Sequence, residues 1–114
     1  MNQEIKEKWL AALRSGKYKQ GKYRLRTIDD EYCCLGVLCE VVGLEAQLDR
    51  FNRYKYEGES AFLPLSVKLV SEISGSGSLH NPIYFNGTNR DCLMTLNDSG
   101  MTFEQIADVI EEQF

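Results

Sequence analysis

The chain has 114 residues, of which 43% are hydrophobic and 26% are charged. These values are typical of one globular domain with a single core, and they exclude disordered and fibrous proteins. The formal net charge of −4 argues against general nucleic-acid binding, which usually needs an excess of cations. No apolar run reaches the roughly 18 residues of a membrane-spanning helix, so no membrane association is predicted.

The first residues and the cysteines indicate a compartment. Residues 2–7 contain neither the apolar core nor the cleavage site of a signal peptide. We therefore expect a cytoplasmic protein, in which the four cysteines remain reduced.

Two helices are predicted in the first half of the chain. Residues 3–15 form an amphipathic helix, with Asn2 as its N-cap and Gly16 as the left-handed residue that ends it. Residues 33–43 are almost entirely apolar and too many for a typical strand, so they predict a buried central helix that ends at its last glycine. Gly36, unfavourable within a helix, indicates close approach of another element.

A strand is predicted between these helices. Side chains alternate over residues 23–28, which places Tyr23 on one face and Arg24 and Arg26 side by side on the other. Asp29-Asp30 supplies the turn that follows.

The middle of the chain gives weaker signals. Short strands are predicted around residues 52–56 and 60–63, and Pro64 opens a short helix. The serines and glycines of residues 74–78 predict a flexible loop. The buried side of the short helix is expected to comprise Val67, Val70 and Ile73.

The last third of the chain predicts a strand and two helices. Residues 82–85 form the strand, which the turn pair Asn86-Gly87 ends, and residues 89–97 form the first helix. Thr102 and Gln105 form a capping box at the start of the second helix, which is amphipathic.

Together these elements predict the α+β class, in a single domain over residues 1–114. A buried central helix would pack against amphipathic N- and C-terminal helices and a small antiparallel sheet. Residues 97–100 are expected to have local roles in the turn between the last two helices.

Four segments carry a distinctive pattern, which includes Trp-x3-Leu-Arg-Ser-Gly and Cys-Cys-Leu-Gly-Val-Leu-Cys. They are Trp9–Gly21, Tyr32–Cys39, Leu63-Pro64 and Leu96–Ala107. The pattern resembles that of a family of small proteins encoded in bacteriophage and prophage genomes. The resemblance implies an accessory phage protein in the bacterial host cytoplasm. Such proteins are often counter-defence factors that block a host protein or sequester a nucleotide immune signal.

The cysteines could supply a metal or catalytic site, but core packing explains them better. Adjacent cysteines on a helix point about 100° apart, whereas zinc ligands usually follow a C-x2-4-C spacing. The four are Cys33, Cys34, Cys39 and Cys92. A cysteine hydrolase needs a base, and the only histidine, His80, adjoins a Gly/Ser-rich loop. No metal or other cofactor is predicted, and a Cys- or metal-dependent enzyme is the weaker alternative.

The cations are concentrated in one stretch, since residues 14–26 contain six of them and no acidic residue. Arg24 and Arg26 on one strand face could clamp a phosphate, while Tyr18 or Tyr23 stacks on a base. Backbone N–H groups at a helix start could add donors to the anion. The residues of that helix start are Thr88, Asn89 and Arg90. The alternatives are a solvated strand face for the arginines and, around residues 86–90, a hairpin or turn that runs into an ordinary capped helix.

The sequence therefore favours a non-enzymatic binding protein that sequesters a small phosphate-bearing, nucleotide-derived ligand. The alternative is an inhibitor of a host protein that uses the aromatic residues of segment 51–62 as its interface. The short chain also favours a homo-oligomer, because a deep pocket forms more easily between subunits.

Overall fold

Five helices and six short strands follow one another along the chain, and the computed structural model describes every residue from 1 to 114. In chain order they are α1 (Gln3–Arg14), β1 (Lys19–Gln20), β2 (Glu31–Tyr32), α2 (Cys34–Val41), β3 (Gln47–Leu48), β4 (Tyr54–Lys55), α3 (Leu65–Ser71), β5 (Ser78–Phe85), β6 (Thr88–Cys92), α4 (Leu93–Asp98) and α5 (Phe103–Gln113). The predicted α+β class is confirmed. None of the helices combines the length and the apolar character needed to cross a bilayer.

The sheet structure is divided into three pairs of strands. The β3–β4 and β5–β6 pairs are antiparallel, as predicted for the sheet. The third pair, β1–β2, is parallel and only two residues long in each strand. No pair shares a strand with another, so the helices and not a common sheet form the centre of the domain.

Helix α2 is that centre, which confirms the predicted central helix. Its residues 34–39 are all buried, as expected for a helix that is apolar on every side. The Cys33 thiol caps it by accepting a hydrogen bond from the N–H of Gly36 at 3.4 Å. Trp9 of α1 is fully buried and donates its indole N–H to the carbonyl of Cys34 at 2.9 Å.

The two terminal helices, α1 and α5, form as predicted and pack against each other. Asn2 caps α1 by accepting the N–H of Ile5 at 3.0 Å, and α5 has the predicted capping box. Across the pair, Arg14 donates to both Asp108 and Glu111 at 2.8 Å.

The close approach predicted at Gly36 is made by the backbone of Leu25. A Cβ atom on Gly36 would lie 2.6 Å from the carbonyl carbon of Leu25 and would overlap its oxygen. Leu25 is itself fully buried, and its carbonyl accepts the N–H of Cys33 at 3.3 Å while its own N–H donates to Ser60 at 2.8 Å. The segment before β2 is thus part of the core.

This contact explains why the predicted strand over residues 23–28 is wrong. The backbone there is irregular, and Tyr23 has a φ of +71°. Because Leu25 bonds to Ser60 and Cys33, its backbone has no ladder partner, and only an isolated bridge joins Arg26 to Tyr32. The predicted turn after it is present.

The predicted helix over residues 89–97 is also wrong in its first half. Asn86 and Gly87 have φ values of +49° and +91°, which suit a two-residue hairpin turn and continue the chain into strand β6. Helix α4 begins only at Leu93.

The middle of the chain follows the prediction in part. Strand β4 covers residues 54–55 of the strand predicted around 52–56 and pairs with β3, whereas residues 60–63 form no strand. Pro64 precedes α3 as predicted, and Val67 and Ile73 are buried. Val70 is 50% exposed, so its predicted burial is wrong: this edge of the apolar stripe of α3 is left in solvent.

Asn97, at the end of α4, has a long-range role that the turn prediction did not include. Its side chain is fully buried, and its Oδ1 accepts hydrogen bonds from the Gln20 amide at 2.9 Å and the Cys34 N–H at 3.1 Å. Its Nδ2 donates to the carbonyl of Gly21 at 2.8 Å. The adjacent Asp98 accepts the N–H of Tyr23 at 2.9 Å. The end of α4 therefore fixes the segment over residues 20–23 against α2.

We expect Gly36→Ala to lower the free energy of unfolding by about 3 kcal/mol, because the added methyl group displaces the Leu25 backbone. Urea unfolding measures this. Gly16→Ala is the control: Gly16 has a φ of +77° but open space around it, so only backbone strain of about 1 kcal/mol is expected. Equal stability of Gly36→Ala and the unmodified protein would contradict the close contact.

We expect Asn97→Ala to cost about 3 kcal/mol of unfolding free energy, because it leaves the buried Cys34 N–H and Gly21 carbonyl without a partner. Asn89→Ala, an exposed position on β6, should stay within about 0.5 kcal/mol of the unmodified protein. Thermal or urea unfolding compares the two. A similar cost for both variants would show that the Asn97 hydrogen bonds contribute little.

Candidate anion-binding groove

A groove of about 280 Å³ lies between the irregular segment before β2 and the residues before β4. Four of its eight lining residues are cations and none is acidic. They are Lys22, Tyr23, Arg24, Arg26, Thr27, Ile28, Asn52 and Arg53. A concave surface with charge of one sign concentrates its field, so the groove attracts anions although the whole chain is acidic.

Lys22 and Arg24 are the two cations in the groove without a partner in the protein. Both are exposed, and the side chain of neither makes a hydrogen bond or an ion pair. Both lie next to buried residues that hold the backbone, Gly21 and Leu25. Their charges are therefore available to a ligand, while their attachment points are fixed.

Arg26 is held in place by its neighbours. Its guanidinium donates to Asp30 Oδ1 at 3.0 and 2.8 Å and lies over the rings of Tyr54, at 4.2 Å, and Tyr32, at 5.3 Å. Partial burial is the largest influence on the pKa of Arg26 and acts to lower it, but the hydrogen bonds to Asp30 help to raise that pKa overall. Arg26 therefore lines the groove with a fixed positive charge. The prediction that it stands beside Arg24 on a strand face is wrong.

Arg53 adds a cation from the β3–β4 connection. Its Nε donates to Asp49 Oδ2 at 3.3 Å, which leaves its terminal nitrogens without a partner. Hydrogen bonds from the backbone N–H groups of Arg53 and Phe51, with the nearby positive charges of Arg53 and Lys55, lower the pKa of Asp49. The ionised Asp49 thus fixes the turn from which Arg53 reaches the groove.

Tyr23 presents the free aromatic ring of the groove. The residue is 72% exposed, and its left-handed backbone is held by the bond from its N–H to Asp98. Residues other than glycine seldom adopt this backbone conformation unless the surrounding structure imposes it. The exposed ring can stack on a planar ligand.

The structure separates Tyr18 from the other predicted site residues. It is half-buried, with its ring edge-on to Tyr32 at a centroid distance of 5.1 Å. It lines a different groove, of about 460 Å³, between the end of α1 and the start of α5. Tyr18 therefore does not line the cation-rich groove of residues 22–28 and 52–53, which is called the basic groove below.

The predicted helix start at residues 88–90 is wrong, because Thr88, Asn89 and Arg90 belong to strand β6. Arg90 donates to the carbonyls of Phe85 and Asn86, both at 3.2 Å, and so supports its own hairpin turn. None of the three lines the basic groove. The anion site expected there does not exist in that form.

The thiols are buried, as the core-packing interpretation predicted. Burial raises the pKa of Cys33 to about 11 and also raises the pKa of Cys39. These thiols are protonated at neutral pH and so are poor nucleophiles. His80 is exposed, with its ring 5.6 Å from that of Phe114.

Sequence reasoning missed most of the second side of the groove. Lys22 lies within the cation-rich stretch and could have been included with Arg24. Asn52 and Arg53 come from the part of the chain with the weakest signals, and only the fold brings them to the segment over residues 22–28.

Comparison with known proteins places the chain in a family without supplying an activity. A family model described as a domain of unknown function, DUF8296, matches residues 1–114. No curated protein and no solved structure matches the sequence. Since the match covers all of the elements described above, the chain belongs to the DUF8296 family.

Proposed function

We propose that this protein binds a small phosphate-bearing, nucleotide-derived ligand in the basic groove and sequesters it without catalysis. The observation that carries the proposal is the set of four cations, without an acidic residue, around the exposed ring of Tyr23. Phosphate recognition needs such cations, and base recognition commonly uses an aromatic face.

Each lining residue has a separate part in this proposal. Lys22 and Arg24 bind the phosphates, since their donors have no competing partner, and the planar fork of Arg24 suits two phosphate oxygens. Arg53 adds its terminal nitrogens from the opposite side. Arg26 contributes charge and shape, because Asp30 already occupies part of its donor set.

Binding without chemical change is supported by the position of the thiols. Cys33, Cys34 and Cys39 lie within the core around α2, and burial favours their protonated form. The groove itself contains no thiol, carboxylate or imidazole that could act as a nucleophile or general base at neutral pH.

The resemblance to phage-encoded proteins suggests where such binding would matter. A protein that holds a nucleotide signal in the bacterial host cytoplasm would keep that signal from its receptor, and this would be a counter-defence role. Sequestration requires only affinity and sufficient protein, which agrees with a groove that provides charge and a stacking surface.

A second candidate function is inhibition of a host protein. Helix α3 leaves Leu65 and Leu69, one turn apart, 65% and 69% exposed, and Phe62 precedes them with its ring exposed. Exposed apolar side chains in a group are typical of interaction surfaces. Tyr56, by contrast, is fully buried, so it cannot contribute to the interface predicted over residues 51–62.

We expect isothermal calorimetry with nucleoside diphosphates to detect binding that Arg24→Ala weakens about tenfold, because a charge-assisted hydrogen bond is lost. Arg90→Ala is the matched control, since that arginine lies outside the groove, and it should bind as the unmodified protein does. Equal weakening by the two substitutions would contradict the site. Failure of all phosphate ligands to bind would favour the interface on α3, which does not need the groove cations.

A further inference from the structure

The size of the groove limits what it can hold. Its volume of about 280 Å³ is just below the range of about 300–1,000 Å³ for typical small-molecule sites. It is also open to solvent on the side of Tyr23 and Arg24, both of which are exposed. A ligand can therefore place one compact anionic group inside and a planar group on the exposed ring.

The aromatic surface offers one position for a base. Tyr23 has the only aromatic ring among the lining residues. The guanidinium of Arg26 lies over the rings of Tyr32 and Tyr54, and Tyr18 packs against Tyr32. The exposed ring of Phe51, beside Asn52, does not line the groove and lies under the guanidinium groups of Arg50 and Arg53, at 5.0 and 5.2 Å. No second ring in the groove is available to another base.

The groove has more free donors than one phosphate can use. Lys22 and Arg24 are both unpaired, and Arg53 has free terminal nitrogens, whereas Arg26 is largely satisfied by Asp30. A single phosphate of charge about −2 would neutralise Lys22 and Arg24, but it has too few oxygens to accept from all of these donors and from Arg53 as well. Two linked phosphates can contact Lys22 and Arg24 at the same time.

We propose that the groove is selective for a mononucleotide with two or more phosphates, with its base on Tyr23 and its phosphates on Lys22 and Arg24. This inference rests on the proposed function and names its ligand class. The side-chain amide of Asn52 lines the same groove, makes no hydrogen bond within the protein, and is the neutral group available to a base edge. A dinucleotide gains nothing over a mononucleotide, because its second base would remain in solvent.

Calorimetry with the full chain tests the selectivity through matched probes. The probes are inorganic pyrophosphate, AMP and ADP, GMP and GDP, and the linear dinucleotide pApA, which has as many phosphates as ADP, separated by a ribose, and one more base. For the better base, the diphosphate should bind about five- to tenfold more tightly than the monophosphate, because of its extra charge. ADP should bind at least as tightly as pApA.

Two substitutions separate the base from the phosphates. Tyr23→Leu should weaken nucleoside diphosphate binding about tenfold and leave pyrophosphate binding unchanged, because only the stacking is lost. Tyr23→Phe, which retains the ring, should bind as the unmodified protein does, and this shows that the position tolerates substitution. Lys22→Gln should reduce the preference for the diphosphate over the monophosphate.

The results distinguish this inference from the function on which it rests. Equal affinity for monophosphates and diphosphates, or tighter binding of pApA than of ADP, would overturn the selectivity while phosphate binding stands. Loss of pyrophosphate binding in Tyr23→Leu would overturn the role given to the ring. No binding of any probe, including pyrophosphate, would overturn the proposed function as well.

Discussion

The contact between the backbone of Leu25 and Gly36 is the constraint on which the candidate site depends. Because Gly36 has no side chain, the carbonyl of Leu25 reaches the surface of helix α2 and accepts the N–H of Cys33. A buried backbone segment needs partners for its polar groups, and Ser60 supplies the other one. An irregular stretch that would otherwise be a surface loop is thereby joined to the core, and the residues just before Leu25 face solvent from fixed positions.

The electrostatics of the groove follow from this placement. Acidic residues outside the groove lining give the chain its negative net charge. Several of them form ion pairs with cations, as Asp30 does with Arg26 and Asp49 with Arg53. Lys22 and Arg24 lie on either side of Tyr23, whose backbone N–H is bound to Asp98. Both side chains extend into solvent from this segment and so remain unpaired. The same hydrogen bond, from the Tyr23 N–H to Asp98, maintains the left-handed backbone of Tyr23, so one interaction supports both the free charges and the exposed ring.

The elements that could be predicted from the sequence are those whose signals are local. Helices α1 and α5 have their caps and apolar faces within a dozen residues, and the apolar run of α2 is a signal in itself. Residues 23–28 alternate as a strand does, yet contacts with α2 and Ser60, distant in sequence, decide their conformation. The same distinction applies to the candidate site. Tyr23 and Arg24 could be selected because they lie in the cation-rich stretch, whereas Arg53 is brought to them only by the fold.

Native-state amide hydrogen exchange tests most directly whether the segment before β2 is part of the core. The N–H groups of Gly21, Leu25 and Cys33 donate to Tyr32, Ser60 and Leu25, respectively, and all three residues are buried. If the groove is preformed, these amides should exchange within about tenfold of the rates of the α2 amides, because they open only when the core opens. Exchange at the rate of an unstructured chain, with α2 still protected, would show that the segment is mobile and would contradict a preformed groove.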